Sequence, residues 1–504
     1  MARDDISTSP ALVLSEPFRP QFHFTPRKGW LNDPNGLVFY AGEYHLFYQF
    51  YPDDTVWGPM HWGHAVSRDL VNWQHLPIAL FPDELGYIFS GSGVIDWHNR
   101  AGFGEEAMIL FFTHHHPDTR DQRQSLAYST DNGRSWTKYA GNPIIPTPAH
   151  LRDFRDPKVI WYQAEEGAGH WVMSLAANDQ ILFYTSDNLI DWQENGRFSH
   201  PQSAATGLWE TPDLFQLPVA GCSESRWVLA IGLDNRMPGG RSGTRYFIGT
   251  FDGHTFTCDQ PGDCVFWADF GADFYAAQSW HDAPDGRRIW LAWMNNWRYA
   301  AAIPTSAWRG DLSIPRELEL VKTDAGIRLI QQPVSELKRL RHTRWIWTNA
   351  TIQPDAPFHP IIKGNTLEIM AEFEGVVKAD CFGVRVLSGH ENAMTIGYDP
   401  QKQILYTDRR QAGQVYFHAD FPGVHQTELP LHHGRLRLHI FVDRSMVEVF
   451  ASDGLICFSE RLFPHESRIE FDIFTEGAAV HLNSLEVFEL KTAVFNSPPI
   501  TPPT

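Results

Sequence analysis

Three short stretches each set a carboxylic acid one or two residues ahead of a proline: Asn32-Asp33-Pro34, Arg155-Asp156-Pro157 and Glu210-Thr211-Pro212. Proline fixes φ, and Asn and Asp side chains bond their own backbone. Each acid is therefore expected on a rigid turn in front of an apolar strand. One acid in such a turn is an ordinary surface feature. Three in matching contexts define a chemistry if the fold brings them together. Carboxyls flanking one bond can cleave a glycoside: one protonates the leaving oxygen, and another attacks or assists. Their surroundings stabilise oxocarbenium-like charge. The first stretch is the richest, because Trp30-Leu31-Asn32-Asp33-Pro34-Asn35-Gly36 runs straight into Leu37-Val38-Phe39-Tyr40, a buried strand by composition.

The elements that must position these acids are strands. Short aromatic and β-branched runs recur, among them 44–50, 108–112, 159–162, 171–175, 227–231 and 289–293, separated by Gly, Pro, Asn and Asp. Long helical periodicity is missing, so the class is all-β. A repeat lies within the pattern. Ser67-Arg68-Asp69-Leu70-Val71-Asn72-Trp73 is echoed at 129–136 and 186–192, and more weakly at 250–256, with aromatic anchors at 73, 136, 192 and 256. Each copy predicts a strand, an Asp-led turn and an outer strand. With a fifth unit around 270–318, this predicts a five-bladed β-propeller. The irregular spacing leaves a plain β-sandwich open from pattern alone. In a propeller the innermost strands start near the axis, where the three acids would converge.

The texture changes near 340–360. Beyond it, polar–apolar alternation at 366–370, 382–386, 436–442 and 447–450 predicts a C-terminal β-sandwich. The expected organisation is an N-terminal tail at 1–20, a propeller at 21–345, a sandwich at 350–490 and a Pro-rich tail at 491–504. The sandwich carries no motif of its own chemistry. It is expected to bury a flank of the propeller, and it is a candidate for a homodimer contact at the pocket rim.

Composition narrows the partners. Against 60 Asp and Glu stand 41 Lys and Arg, a formal net charge of −19, which argues against nucleic acid and anionic membrane. The 19 Trp fit strand packing or sugar stacking. No apolar run is long enough for a membrane span. The first ten residues lack the apolar core of a signal peptide, so a cytoplasmic protein, or one released without such a peptide, is expected. Five cysteines without CxxC spacing argue against a disulfide framework or a zinc site. His114-His115-His116 cannot turn three rings to one ion from a strand, and a rim loop is the better expectation there. No metal or cofactor is required by this chemistry.

Together, Trp30–Gly36, Phe154-Arg155-Asp156-Pro157 and Trp209-Glu210-Thr211-Pro212-Asp213 resemble the three motifs of glycoside hydrolase family 32, the invertases, inulinases, levanases and related fructosyltransferases. The resemblance spans about 18–490. It includes Trp57-Gly58-Pro59-Met60-His61-Trp62-Gly63-His64-Ala65, Phe89-Ser90-Gly91-Ser92, Ser313-Ile314-Pro315-Arg316-Glu317-Leu318 and 442–450. It implies a five-bladed propeller followed by a β-sandwich, in agreement with the repeat. It implies Asp33 as nucleophile, Glu210 as acid/base and Asp156 as transition-state stabiliser. A retaining reaction of that kind sets the first two carboxyls about 5–5.5 Å apart. Asp153 is a rival to Asp156 but lacks the following proline.

Asn32, Gln49, Trp57, Ser92 and Arg155 match family positions around the fructosyl subsite, and Trp297 is a candidate apolar wall. Thr211 departs from the cysteine that many members carry there, and its hydroxyl is expected to alter the acid's pKa. The run 297–310 resembles the levanase and exo-inulinase branch. The implied activity is exo-acting β-fructofuranosidase on sucrose and short fructans, without a cofactor. The alternatives are a fructosyltransferase, a non-catalytic carbohydrate-binding propeller and, more distantly, an arabinan-type glycosidase.

Overall fold

The apolar runs become blades because both faces of each blade are covered. In the computed structural model, strand Ala107–His115 is buried at all but its last residue. Such strands read as continuous apolar runs rather than as alternation. The structure describes residues 16–164, 167, 169–200, 207–237, 241–262, 264–362, 364–374, 378–387, 392–465 and 469–496. Four antiparallel strands make each blade, and the innermost are Gly29–Tyr40, Tyr87–Asp96, Phe154–Tyr162, Trp209–Pro218 and Tyr275–Ser279. Neighbours in that order touch around one axis, and the fifth returns against the first. There Phe39 N–H donates to His281 O at 2.9 Å and His281 N–H to Leu37 O at 2.9 Å.

The seams between blades are the cores of this half. One joins Phe47 and Trp62 of the first blade to Leu110 and Phe112 of the second. Another joins Phe111 to Val159 and Met173 of the third.

The repeat is the turn between the third and fourth strands of a blade. Asp69 Oδ1 accepts the backbone N–H of Val71 and Asn72 at 3.1 and 2.8 Å. Asp131 Oδ1 accepts those of Arg134 and Ser135 at 3.0 and 2.9 Å. In the third blade Asn188, not a neighbouring Asp, accepts from Ile190 and Asp191 at 3.0 and 2.9 Å. The next residue is left-handed each time: Leu70, Asn132, Leu189 and Gly253 have φ of 61°, 56°, 66° and 92°. The fifth blade lacks this turn. Its last strands are Arg316–Thr323 and Gly326–Pro333, so the unit runs past the expected 318.

The sandwich packs a six-stranded sheet on a five-stranded one. It begins earlier than the sequence texture indicates. The boundary read at 345–350 falls inside strand Arg341–Ile352, which pairs along its length with Val480–Leu490. This strand lies at a sheet edge with every second residue exposed, so its composition blends into the preceding segment.

Neither expected tail is wholly loose. Residues 1–15 and 497–504 lie outside the described residues. Arg19 is buried, with its guanidinium 3.7 Å from the Trp308 ring centre. Phe495–Asn496 pairs with Trp73 and Gln74 of the first blade.

Candidate active site

The acids do not sit on turns ahead of strands. Each lies inside an innermost strand, at a β-bulge, where pairing with the second strand slips. The slips fall between Leu31 and Pro34, between the partners of Arg155 and Lys158, and between Glu210 and Asp213. The second and fifth blades slip likewise, between Ile88 and Gly91 and between Tyr275 and Gln278. A bulge bends the strand and re-aims a side chain. Five bulges at one level around the axis turn side chains into one pocket. The backbone there is left-handed at Asp156 (φ 64°), Thr211 (φ 47°) and Ala276 (φ 56°). The first strand slips again between Asn35 and Val38, where Gly36 has φ 57° and a Cβ on it would lie 2.6 Å from the Phe47 ring, so this second slip has room for glycine alone.

Asp33 is nearly buried. Ser90 Oγ–H donates to its Oδ2 at 2.6 Å and Asn32 Nδ2–H to its Oδ1 at 3.1 Å. Trp30 Nε1–H donates to Asn32 Oδ1 at 2.8 Å and fixes that amide. Burial pushes the Asp33 carboxyl up to about 6. The Ser90 and Asn32 bonds pull it down, and the Glu210 charge pushes it up.

Asp156 is held by the blades on either side of its own. Its N–H donates to Thr113 Oγ1 at 3.0 Å, and its Oδ2 accepts Thr211 N–H at 2.8 Å. Burial pushes its carboxyl up to about 7. Arg155 opposes this, and Glu210 and Asp33 add to it.

Glu210 accepts from Arg155 Nη2 and Nε at 2.7 and 3.2 Å on Oε1, and from the Tyr275 hydroxyl on Oε2. Arg155 also donates to Asp153 Oδ1 at 2.6 Å and Gln122 Oε1 at 3.2 Å. Burial alone would depress this guanidinium, but Glu210, Asp156 and Asp153 hold it firmly protonated. Three carboxylates thus surround one cation.

The expected binding residues divide. Asn32 and Arg155 touch the acids. Gln49 spends its amide N–H on Ile88 O at 2.8 Å, bridging the first two blades. Trp57 stands on the rim, 42% exposed, edge-on to Tyr87 and Phe89. Trp297 stacks on Trp30 at 6.1 Å and packs against Trp293 at 4.7 Å, so it lies behind the residues that touch the acids.

Ser92 is not in the pocket. Its hydroxyl donates to Pro157 O at 2.7 Å and accepts Val159 N–H at 2.9 Å, stitching the second blade to the third. The serine that touches an acid is Ser90, which the slip between Ile88 and Gly91 turns to the axis. Tyr275 was also missed. Its signal was the repeat itself, since a fifth innermost strand had to contribute a side chain here.

Asp153 points outward to Arg155, with its side chain 38% exposed. The Thr211 hydroxyl is buried without a partner, so it does not act on Glu210 as expected. His114 and His115 belong to a strand rather than a loop and diverge. His114 Nδ1 meets Ser125 Oγ at 2.8 Å, and His115 stacks on Phe89 at 4.4 Å. Among the described residues no three His, Cys, Asp or Glu are grouped to hold a metal ion.

Comparison with known proteins agrees with this geometry. Residues 23–333 match the glycosyl hydrolases family 32 N-terminal domain, and residues 336–489 match the family's C-terminal domain. A levanase of Bacillus subtilis (strain 168) is 47% identical over 487 residues, covering 94% of this chain and 71% of that protein. An extracellular exo-inulinase of Aspergillus niger is 37% identical over 525 residues, covering 96% and 97%. The crystal structure of the exo-inulinase from Aspergillus awamori superposes with a TM-score of 0.87 at 33% identity, covering 95% of this chain and all of that one.

Proposed function

This chain belongs to glycoside hydrolase family 32, and we propose that Asp33, Glu210 and Asp156 divide between them the release of terminal fructose from sucrose and short fructans. The chain is an exo-acting β-fructofuranosidase, in line with relatives named levanase, exo-inulinase and invertase. The observation that carries the division of roles is the set of three bulges that brings Asp33, Asp156 and Glu210 close enough for the Glu210 charge to act on both aspartates, with Arg155 donating to Glu210.

Asp33 attacks the anomeric carbon of the fructofuranosyl unit. Ser90 and Asn32 stabilise its charged form against burial. Glu210 protonates the glycosidic oxygen and afterwards activates the water that frees the sugar. Arg155 and Tyr275 hold its two oxygens and fix its direction. Asp156, anchored by Thr211 N–H, takes the ring hydroxyls as charge develops. Burial pushes the Asp33 and Asp156 carboxyls up to about 6 and 7, and the Glu210 charge adds to both, so neither aspartate titrates independently of its neighbours. The working state needs Asp33 ionised and one proton on Glu210.

Chromatography of products from sucrose, inulin and levan, at low and high sugar, tests this reading. Fructose is expected as the first and only product shorter than the shortened chain, with glucose as its partner from sucrose. Early oligosaccharides from the polymers would indicate internal cleavage. New trisaccharides at low sucrose would indicate a fructosyltransferase. No turnover would leave a sugar-binding propeller.

A further inference from the structure

A second cluster of aromatic and acidic side chains lies on the propeller, on the face opposite the acids. The innermost strands carry Asp33, Ser90 and Tyr275 near one end. Tyr40 lies seven residues beyond Asp33 and Trp97 seven beyond Ser90, which at about 3.3 Å per residue is roughly 20 Å away. Asp282 follows Tyr275 by the same seven residues. Three blades meet at this spot.

Trp97 is 46% exposed, yet its ring is fixed. Its Nε1–H donates to Asp282 Oδ2 at 3.1 Å, and it packs against Tyr40 at 5.8 Å and 59°. The Tyr40 hydroxyl donates in turn to Glu106 Oε2 at 2.8 Å. The loop that carries Trp97 is fastened by the buried Asp96 carboxylate, which accepts the N–H of Arg100 at 2.9 Å and of Ala101 at 2.8 Å. The Asp282 turn is fastened to the first blade by the His281 backbone bonds described above.

An indole held rigid with half its surface in water does nothing for the core. With an aromatic neighbour and two carboxylates beside it, it presents an apolar face for sugar C–H groups and acceptors for sugar hydroxyls. The same carboxylates repel polyanions. We propose that Trp97, Tyr40, Glu106 and Asp282 form a secondary binding site for fructan chains, distinct from the catalytic pocket. The proposal rests on fructan being the substrate. A polymer held there is kept near the pocket by effective concentration, whereas sucrose is too short to gain.

The test compares Trp97→Ala and Trp97→Phe with wild type, using sucrose and long-chain inulin. For Trp97→Ala, kcat/KM on inulin should fall about threefold to tenfold while sucrose turnover is unchanged, and Trp97→Phe should recover most of the loss. Equal effects on both sugars, or none on either, overturn the platform. Binding is read separately, without turnover, as retardation of Asp33→Asn and Asp33→Asn/Trp97→Ala chains in gels containing inulin. Loss of retardation in the double variant supports the site, and equal retardation overturns it. Failure of wild type to hydrolyse sucrose would instead count against the catalytic reading.

Discussion

At the scale of the residue, the site works against the solvation of its own acids. Burial pushes Asp33 up to about 6, and the Ser90 hydroxyl at 2.6 Å is the strongest influence pulling it down. A nucleophile must be ionised, so turnover falls as pH drops through its pKa. Removing the Ser90 bond raises that pKa. In Ser90→Ala the acid limb of kcat/KM on sucrose should therefore move up by about one pH unit, since a hydrogen bond to a charged group is worth about 1.5–3 kcal/mol. Activity near pH 8 should be almost unchanged. Superimposed profiles from pH 4 to 8 would contradict the role given to Ser90. Glu210 invites a different measurement, because an acid matters most when the leaving group is basic. Glu210→Gln should lose about 10²–10⁴-fold on sucrose and far less on an aryl fructoside with an acidic leaving group. Similar losses on both would remove Glu210 from the acid's role.

At the scale of the element, the device is a bulge repeated in five innermost strands. The sequence displayed the acids and prolines that mark three of these bulges, and the Asx turns that count four of the five blades. It could not display the bulges themselves, because a bulge is a mismatch of register between two strands. That is why Asp33, Asp156 and Glu210 read as turn residues, and why Ser90 gave no signal of its own beside Ser92. In a regular strand the two serines share one face, and only the slip after Ile88 separates them. The sandwich strand at 341–352 was hidden for another reason: an edge strand with an exposed side composes like a linker. Thr211 shows what the bulge demands. It holds a β-branched side chain at φ 47°, with its hydroxyl buried and unpartnered, while its N–H serves Asp156. Cysteine lacks the β-branch that this left-handed backbone strains, and its thiol is less penalised by burial without a partner. Thr211→Cys should raise the thermal midpoint, by the equivalent of about 1 kcal/mol, and leave the pH–rate profile in place. A profile that moves with this substitution would mean that the hydroxyl acts on Glu210 after all.

At the scale of the whole molecule, two of the stretches that carry the family resemblance serve the joint between domains rather than the pocket. Arg316 donates through Nε to Glu448 Oε2 at 3.1 Å and through Nη1 to Asp269 Oδ2 at 3.0 Å, so 313–318 meets 442–450 across the interface. His23 completes the joint. Its Nδ1 lies 2.9 Å from Asp443 Oδ2 and its Nε2 2.9 Å from Glu448 Oε1, with all three side chains buried. Burial disfavours the imidazolium, but the two carboxylates outweigh it and raise the pKa to about 9. A group raised from 6.5 to about 9 on folding stabilises fully below 6.5 and loses that contribution as pH rises through 9. The amount is at most about 3 kcal/mol. The wild-type thermal midpoint should therefore fall between pH 6.5 and 9, and His23→Gln, which has no proton to lose, should show a flatter slope. It should also start lower at pH 6.5, because Asp443 then lacks the imidazolium and Glu448 is left with Arg316 alone. Parallel slopes in the two proteins would place the alkaline sensitivity elsewhere and leave His23 a neutral hydrogen-bonding spacer.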